Sequence, residues 1–131
     1  MFFKISNITK EGLPEKEYDL VTTFDVIHDM THPYDALQII RKSLKDDGTY
    51  LLLEINTKDK LDNIGSFGTL FYGWSIMYCM TVSLGDGGEG LGTAGLPESK
   101  VKEYCTRAGF KYIKKVPFDN PFNSLYEIKN N

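Results

Sequence analysis

The chain has 131 residues, 41% of them hydrophobic and 13% aromatic, with a formal net charge of −3. That length and composition fit a single domain with a core of its own and exclude a disordered chain. With no run of Lys or Arg to follow a phosphate backbone, the sequence excludes a nucleic-acid partner and leaves small molecules and proteins. Cys79 and Cys105 stand far apart in no metal-like spacing, and Met1-Phe2-Phe3 leads directly into polar sequence, so the chain reads as a reduced, cytoplasmic protein without a signal peptide.

In chain order, Phe2 to Ile8 (FFKISNI) reads as a short strand, followed by a charged loop broken by Gly12 and Pro14. Leu20 to Ile27 (LVTTFDVI) is apolar and β-branched without strict alternation, the pattern of a strand buried on both faces. Pro33 sets a helix start with His32 or Thr31 as N-cap, and Leu37, Ile40 and Leu44 form its apolar stripe. That helix stops before Asp46-Asp47-Gly48, and Thr49 to Ile55 (TYLLLEI) is a second buried strand, completing a right-handed βαβ unit. From Asn63 to Gly85 the chain is uncharged, but its glycines, hydroxyl residues and lack of basic flanks argue against a membrane span. Ile64, Phe67, Phe71, Trp74 and Tyr78 recur every three or four residues and predict a helix whose aromatic face belongs to the core. After the loop GDGGEGLGTAG, Pro97 opens a second amphipathic helix capped by Gly109. Strands over Phe110 to Phe118 and Ser124 to Lys129 then end the chain as an antiparallel pair. The expected organisation is one α/β domain over residues 1–131 with a helical aromatic insert at 61–84.

The stretch FDVIHDMTHPYDAL holds both histidines. Two metal-ligating histidines at i, i+4 must share a helix face, but Pro33 puts His28 before the helix and His32 at its lip, so the sequence assigns no metal. Asp25, His28 and Asp29 instead fall at the carboxyl end of a strand, where ligands sit in open α/β sheets. Gly90, Gly92 and Gly95 match GxGxxG before a helix and offer an alternative, a dinucleotide-binding module. Against it, GDGGE separates the apolar run from the first glycine, and the third glycine lies outside the helix.

FDVIHDMTHPYDALQIIRKSLKDDGTYLLLEI resembles the fourth strand, following helix and fifth strand of class I S-adenosylmethionine-dependent methyltransferases. The flanks FFKISNITKEGLPEKEYDLV and GLGTAGLPESKVKEYCTRAGF…NPFNSLYEIK resemble the neighbouring segments of a subgroup that sometimes carries a winged helix in front. The resemblance covers nearly the whole chain and implies the C-terminal portion of a Rossmann-like methyltransferase fold. Such a portion has a mostly parallel sheet, taken from the order 3-2-1-4-5-7-6, and a C-terminal antiparallel pair. The family's first strand, glycine loop and second strand have no counterpart before Phe2.

The resemblance further implies S-adenosylmethionine as cofactor and a small, unnamed methyl acceptor. Asn7 and Ile8 match the family positions at the adenine, and Phe24 and Asp25 those along the methionine part. His28 then becomes the candidate general base and Asp29 its orienting group, because imidazole titrates near neutrality. Two further readings stand beside the enzyme: a non-catalytic methyltransferase-like subunit, and the dinucleotide module. With strands missing beside Leu20 to Ile27, a homodimer or a partner chain is expected to cover the exposed sheet edge.

Overall fold

In the computed structural model, residues 3–59 and 66–131 are described. The elements are a single helical turn α1 (Ile8–Glu11), β1 (Tyr18–Phe24), a 3₁₀ turn (Ile27–Asp29), α2 (Pro33–Ser43) and β2 (Leu44–Ile55). These are followed by α3 (Ser66–Trp74), a π-helical turn (Ser75–Cys79), α4 (Met80–Gly85), α5 (Glu98–Ala108), β3 (Tyr112–Val116) and β4 (Asn123–Lys129). The four strands form one sheet in the order β1-β2-β4-β3. This is the 4-5-7-6 end of the order that the resemblance implies. β1 and β2 run parallel, whereas β4 is antiparallel to both β2 and β3, so in these residues the sheet is mixed and its parallel share is one pairing of three. β4 inserts between β2 and β3, which is why the chain end contributes two antiparallel pairings rather than one.

Period-two burial decides which face holds the core. Along β2, Tyr50, Leu52 and Glu54 are buried while their neighbours are half-buried, and along β4 the same holds for Ser124, Tyr126 and Ile128. Against this face pack Leu37 and Ile40 of α2 and Val101, Tyr104, Cys105 and Ala108 of α5. Each fully buried aliphatic side chain of this set contributes about 1.5–3 kcal/mol. Tyr50 stacks on Phe110 with ring centroids 5.9 Å apart, and its hydroxyl is 2.6 Å from that of Thr23 on β1, which satisfies the one polar atom that its burial would strand. α2 starts as its sequence predicts, with His32 as N-cap and Pro33 at the first turn. α5 ends on Gly109 at φ 100°, where the left-handed conformation favours glycine.

Five expectations are corrected. Residues 3–6 of the run FFKIS are not a strand: Phe3 and Ile5 are exposed coil, and Asn7 caps α1, accepting from Thr9 N at 3.2 Å. Phe2 lies outside the described residues. β1 is not buried on both faces, since it is the sheet's edge strand and Leu20 and Phe24 are more than half exposed. Asp46-Asp47-Gly48 does not separate α2 from the next strand. β2 already begins at Leu44 and bulges there, Tyr18 pairing with Leu44 but Leu20 with Thr49, so the extra residues loop out within one strand.

The aromatic face is not core. Phe67, Trp74 and Tyr78 are exposed, and the buried stripe is Phe71, Ser75, Cys79 and Ser83, one helical turn apart. Ile64 lies outside the described residues, as does the start of the expected insert. The small polar members of the stripe have a physical use: Ser83 Oγ accepts from Gly90 N at 3.1 Å and donates to Met30 O at 3.3 Å, and Ser75 Oγ accepts from Ala94 N. They stitch the helix to the glycine loop.

The GxGxxG run, finally, follows α4 and not a strand, so it lacks the strand tip that a dinucleotide fingerprint requires. Its glycines serve packing: a Cβ on Gly92 would meet Ser75 Oγ at 2.9 Å, and one on Gly95 would meet the carbonyl oxygen of Leu91 at 1.9 Å. Among the described residues no helix is long and apolar enough to cross a membrane.

Candidate active site

β1 ends at Phe24, and Asp25 follows at φ 51°, a left-handed conformation that a non-glycine residue adopts at a cost of about 1–3 kcal/mol. Two strands hold it there. Its N–H donates to Leu53 O on β2 at 2.9 Å, and its carboxylate accepts two hydrogen bonds from the Asn123 amide on β4, at 2.8 and 3.0 Å. The kink turns the chain into the 3₁₀ turn that carries His28 inward, where it is 4% exposed.

Glu54, 1% exposed, meets it there. Glu54 shares the inward face of β2 with Tyr50 and Leu52 at the strand's carboxyl end. One carboxylate oxygen accepts from Ile27 N at 2.9 Å, and the other lies 2.5 Å from His28 Nδ1. A buried carboxylate needs such partners. Burial alone disfavours the imidazolium, but the hydrogen bond and charge of Glu54, with Asp29 and Asp25 nearby, outweigh it and raise the His28 pKa above 6.5. With Nδ1 engaged, Nε2 is the nitrogen left for chemistry, and His28 lines an open cavity of about 370 Å³. Its polar side is formed by Asp25, His28 and Asp29, and its apolar wall by Trp74, Met77 and Tyr78 on the segment around the π turn.

The sequence-predicted residues divide accordingly. Asp25, His28 and Asp29 come together in this cavity, with Asp29 Oδ1 3.1 Å from His28 Nε2. The carboxylate on Nδ1 is that of Glu54, which the sequence reading did not single out. The available signal was an acidic residue on the same face as Tyr50 and Leu52 in the alternating strand TYLLLEI. Phe24 stands exposed at the open edge of β1, Asn7 and Ile8 form the start of α1, and His32 is exposed at the head of α2; none of these lines the cavity. On the far wall the Cys79 sulfur lies 3.1 Å from Thr93 Oγ1, and burial, with the Asp29 carboxylate nearby, pushes its thiol pKa up. His28, Asp29 and Cys79 each bring a ligand-type atom to within 4.8 Å of the others. Cys105, in the core, is a different case: burial alone raises its thiol to about 12.

The fold recurs in solved structures. The CMeT domain of the citrinin polyketide synthase superposes with a TM-score of 0.66 at 22% identity, over 99% of this chain and 32% of that one. Human N-acetylserotonin methyltransferase in complex with SAM does so at 0.64 and 19%, over 98% and 34%. The chain has the fold of about a third of each of these two chains. The human enzyme's structure holds SAM. No family model matches the sequence. Among curated proteins, the highly reducing polyketide synthase easB of Emericella nidulans is 33% identical over 118 residues, which is 88% of this chain. The chain spans 4% of that relative.

Proposed function

We propose that these 131 residues are one partial methyltransferase domain, with residues 61–84 as its helical insert, and that its complete form methylates a carbon of an acyl chain of the polyketide kind. The observation that carries this reading is the His28–Glu54 pair at the strand tip, with Nδ1 engaged by the carboxylate and the ring lining the cavity. The polyketide synthase relative and the CMeT neighbour support the choice of acceptor.

A carbon acid is a poor nucleophile until its proton leaves, so a base must stand beside it. His28 Nε2 takes that C–H proton, and Glu54 stabilises the resulting imidazolium through Nδ1. The cofactor, when bound, would supply an electrophilic methyl group on a positively charged sulfur, whose neutral thioether is the leaving group. Asp25, fixed by Asn123, shapes the strand tip next to the methyl position. Asp29 borders Nε2, and Trp74, Met77 and Tyr78 give the acyl chain an apolar wall.

The residues fit the cofactor in part. Phe24 and Asp25 offer the strand tip, and Asn7 and Ile8 are the adenine contacts that the resemblance assigns, while the glycine loop and ribose-holding acid have no counterpart in this sequence. Titration calorimetry of the chain with S-adenosylhomocysteine should therefore show weak binding or none. Saturable binding at micromolar concentration would mean that other residues replace the loop, and would sink this account of the site.

Among the described residues the outer edge of β1 is unpaired, with Leu20 and Phe24 exposed beside it. No Lys or Pro from Asp19 to Ile27 blunts that edge. We read it as the place where a second copy or a partner chain adds a strand. Light scattering of the isolated chain at low micromolar concentration should give a mass above 14.9 kDa. A well-folded, strictly monomeric species would refute this.

A further inference from the structure

We propose that His28, Asp29 and Cys79 form a binding site for a divalent ion of zinc type in the wall of the cavity. Their three ligand-type atoms lie within 4.8 Å of one another, and they come from two separate elements, the 3₁₀ turn and the π turn. The donor set is one imidazole nitrogen, one carboxylate oxygen and one sulfur, the mixture that suits zinc better than magnesium or calcium. Three protein ligands with an open cavity beside them match the pattern of a zinc site that keeps a fourth position for water or a small molecule.

Two details of geometry point to a cation. First, His28 is already oriented as a metal ligand is: Glu54 engages Nδ1 at 2.5 Å, the carboxylate–histidine arrangement that fixes the ring and raises the basicity of the other nitrogen. Second, Asp29 Oδ1 is buried and makes no hydrogen bond, although His28 Nε2 lies only 3.1 Å away. The fit requires a small closure. Ligand atoms of a tetrahedral zinc ion lie ~3.5 Å apart, so the widest separation must shrink by about 1 Å. Rotation of the Asp29 side chain, which is 38% exposed, and of Cys79 Sγ away from Thr93 supplies it. On binding, the sulfur–metal bond forms as the S–H bond breaks, and that proton goes to solvent.

This inference does not depend on methyl transfer. It has a consequence for it, because a metal ion on Nε2 occupies the lone pair that a base would use, so zinc loading and proton abstraction exclude each other.

The test is titration of the full chain, stripped with a chelator, with Zn²⁺ in competition with a chromophoric chelator, and with Co²⁺ followed by its visible spectrum. One ion should bind per chain, with a sulfur-to-cobalt charge-transfer band. Cys79→Ser should abolish that band. Asp29→Asn, at a partly exposed position that leaves the core untouched, should weaken binding by about tenfold or more, and Glu54→Gln by about tenfold through the ring orientation. His32→Gln, which alters the other histidine, should leave binding unchanged. No saturable binding by the folded chain would overturn the site, and so would equal affinity in wild type, Cys79→Ser and Asp29→Asn. A loss caused by His32→Gln would likewise place the ion elsewhere.

Discussion

Placed in a methyltransferase that lacks nothing around its cofactor, this chain should lose methyl transfer by about 10²–10⁴-fold when His28 becomes Gln, the range set by a general base. The vehicle is a chimera in which the chain takes the place of the matching third of the citrinin polyketide synthase CMeT domain, over which 99% of it superposes. Glutamine keeps a polar side chain of similar reach but cannot accept a proton near neutrality, so the step that suffers is removal of the C–H proton. Cofactor affinity should hardly change if His28 serves the acceptor as the proposed base. Glu54→Gln should cost less than His28→Gln: Nδ1 keeps a hydrogen-bond partner, and only the charge that stabilises the imidazolium is lost. Methyl transfer in a chimera should therefore fall in kcat while the KM for cofactor stays within a few-fold. A His28→Gln chimera that retains full activity on a carbon acceptor would remove the base from the mechanism.

That assignment also shows what a sequence could tell and what it could not. The βαβ unit was legible because each element carried its own local signal. Pro33 opened α2, Gly109 closed α5, and TYLLLEI had the composition of a strand; all three stand where those signals put them. Asp25, His28 and Asp29 were legible as a group because they are neighbours in the chain. Glu54 was not, since it lies 26 residues from His28 and meets it only once the parallel pairing of Phe24 with Leu53 brings the two strand ends together. Cys79 and Thr93 were hidden for a related reason. Helical periodicity fixes which residues share a face but not which face turns inward, and here the stripe of Phe71, Ser75, Cys79 and Ser83 won over the aromatic one. Ser75 and Ser83 bond the glycine loop and Cys79 meets Thr93, contacts that hydrophobicity alone does not anticipate. The FFKIS segment failed differently. Its composition suits a strand, but composition does not supply a pairing partner, and residues 3–6 join none of the four strands.

The second large effect concerns stability. Glu54 is 1% exposed and has two partners, Ile27 N–H and the His28 ring. Removing the ring strands a buried carboxylate, which costs about 3–5 kcal/mol when one member of a buried ion pair is deleted. His28→Leu fills the space with a side chain of comparable bulk, so the loss it causes reports the stranded charge more than a cavity. Adding Glu54→Gln to that variant removes the charge while leaving an amide oxygen to accept from Ile27 N–H. Had Glu54 become Leu instead, that N–H would be left unpaired at a cost of about 1–3 kcal/mol, which is why the amide is the better second substitution. The double variant His28→Leu/Glu54→Gln should therefore be more stable than His28→Leu alone by roughly 2 kcal/mol, a coupling of the size expected between residues in direct contact. Urea denaturation followed by circular dichroism gives the comparison, with equal slopes confirming that the same surface unfolds in each variant. If the double variant is no more stable than His28→Leu, Glu54 is not held as a buried charge by His28.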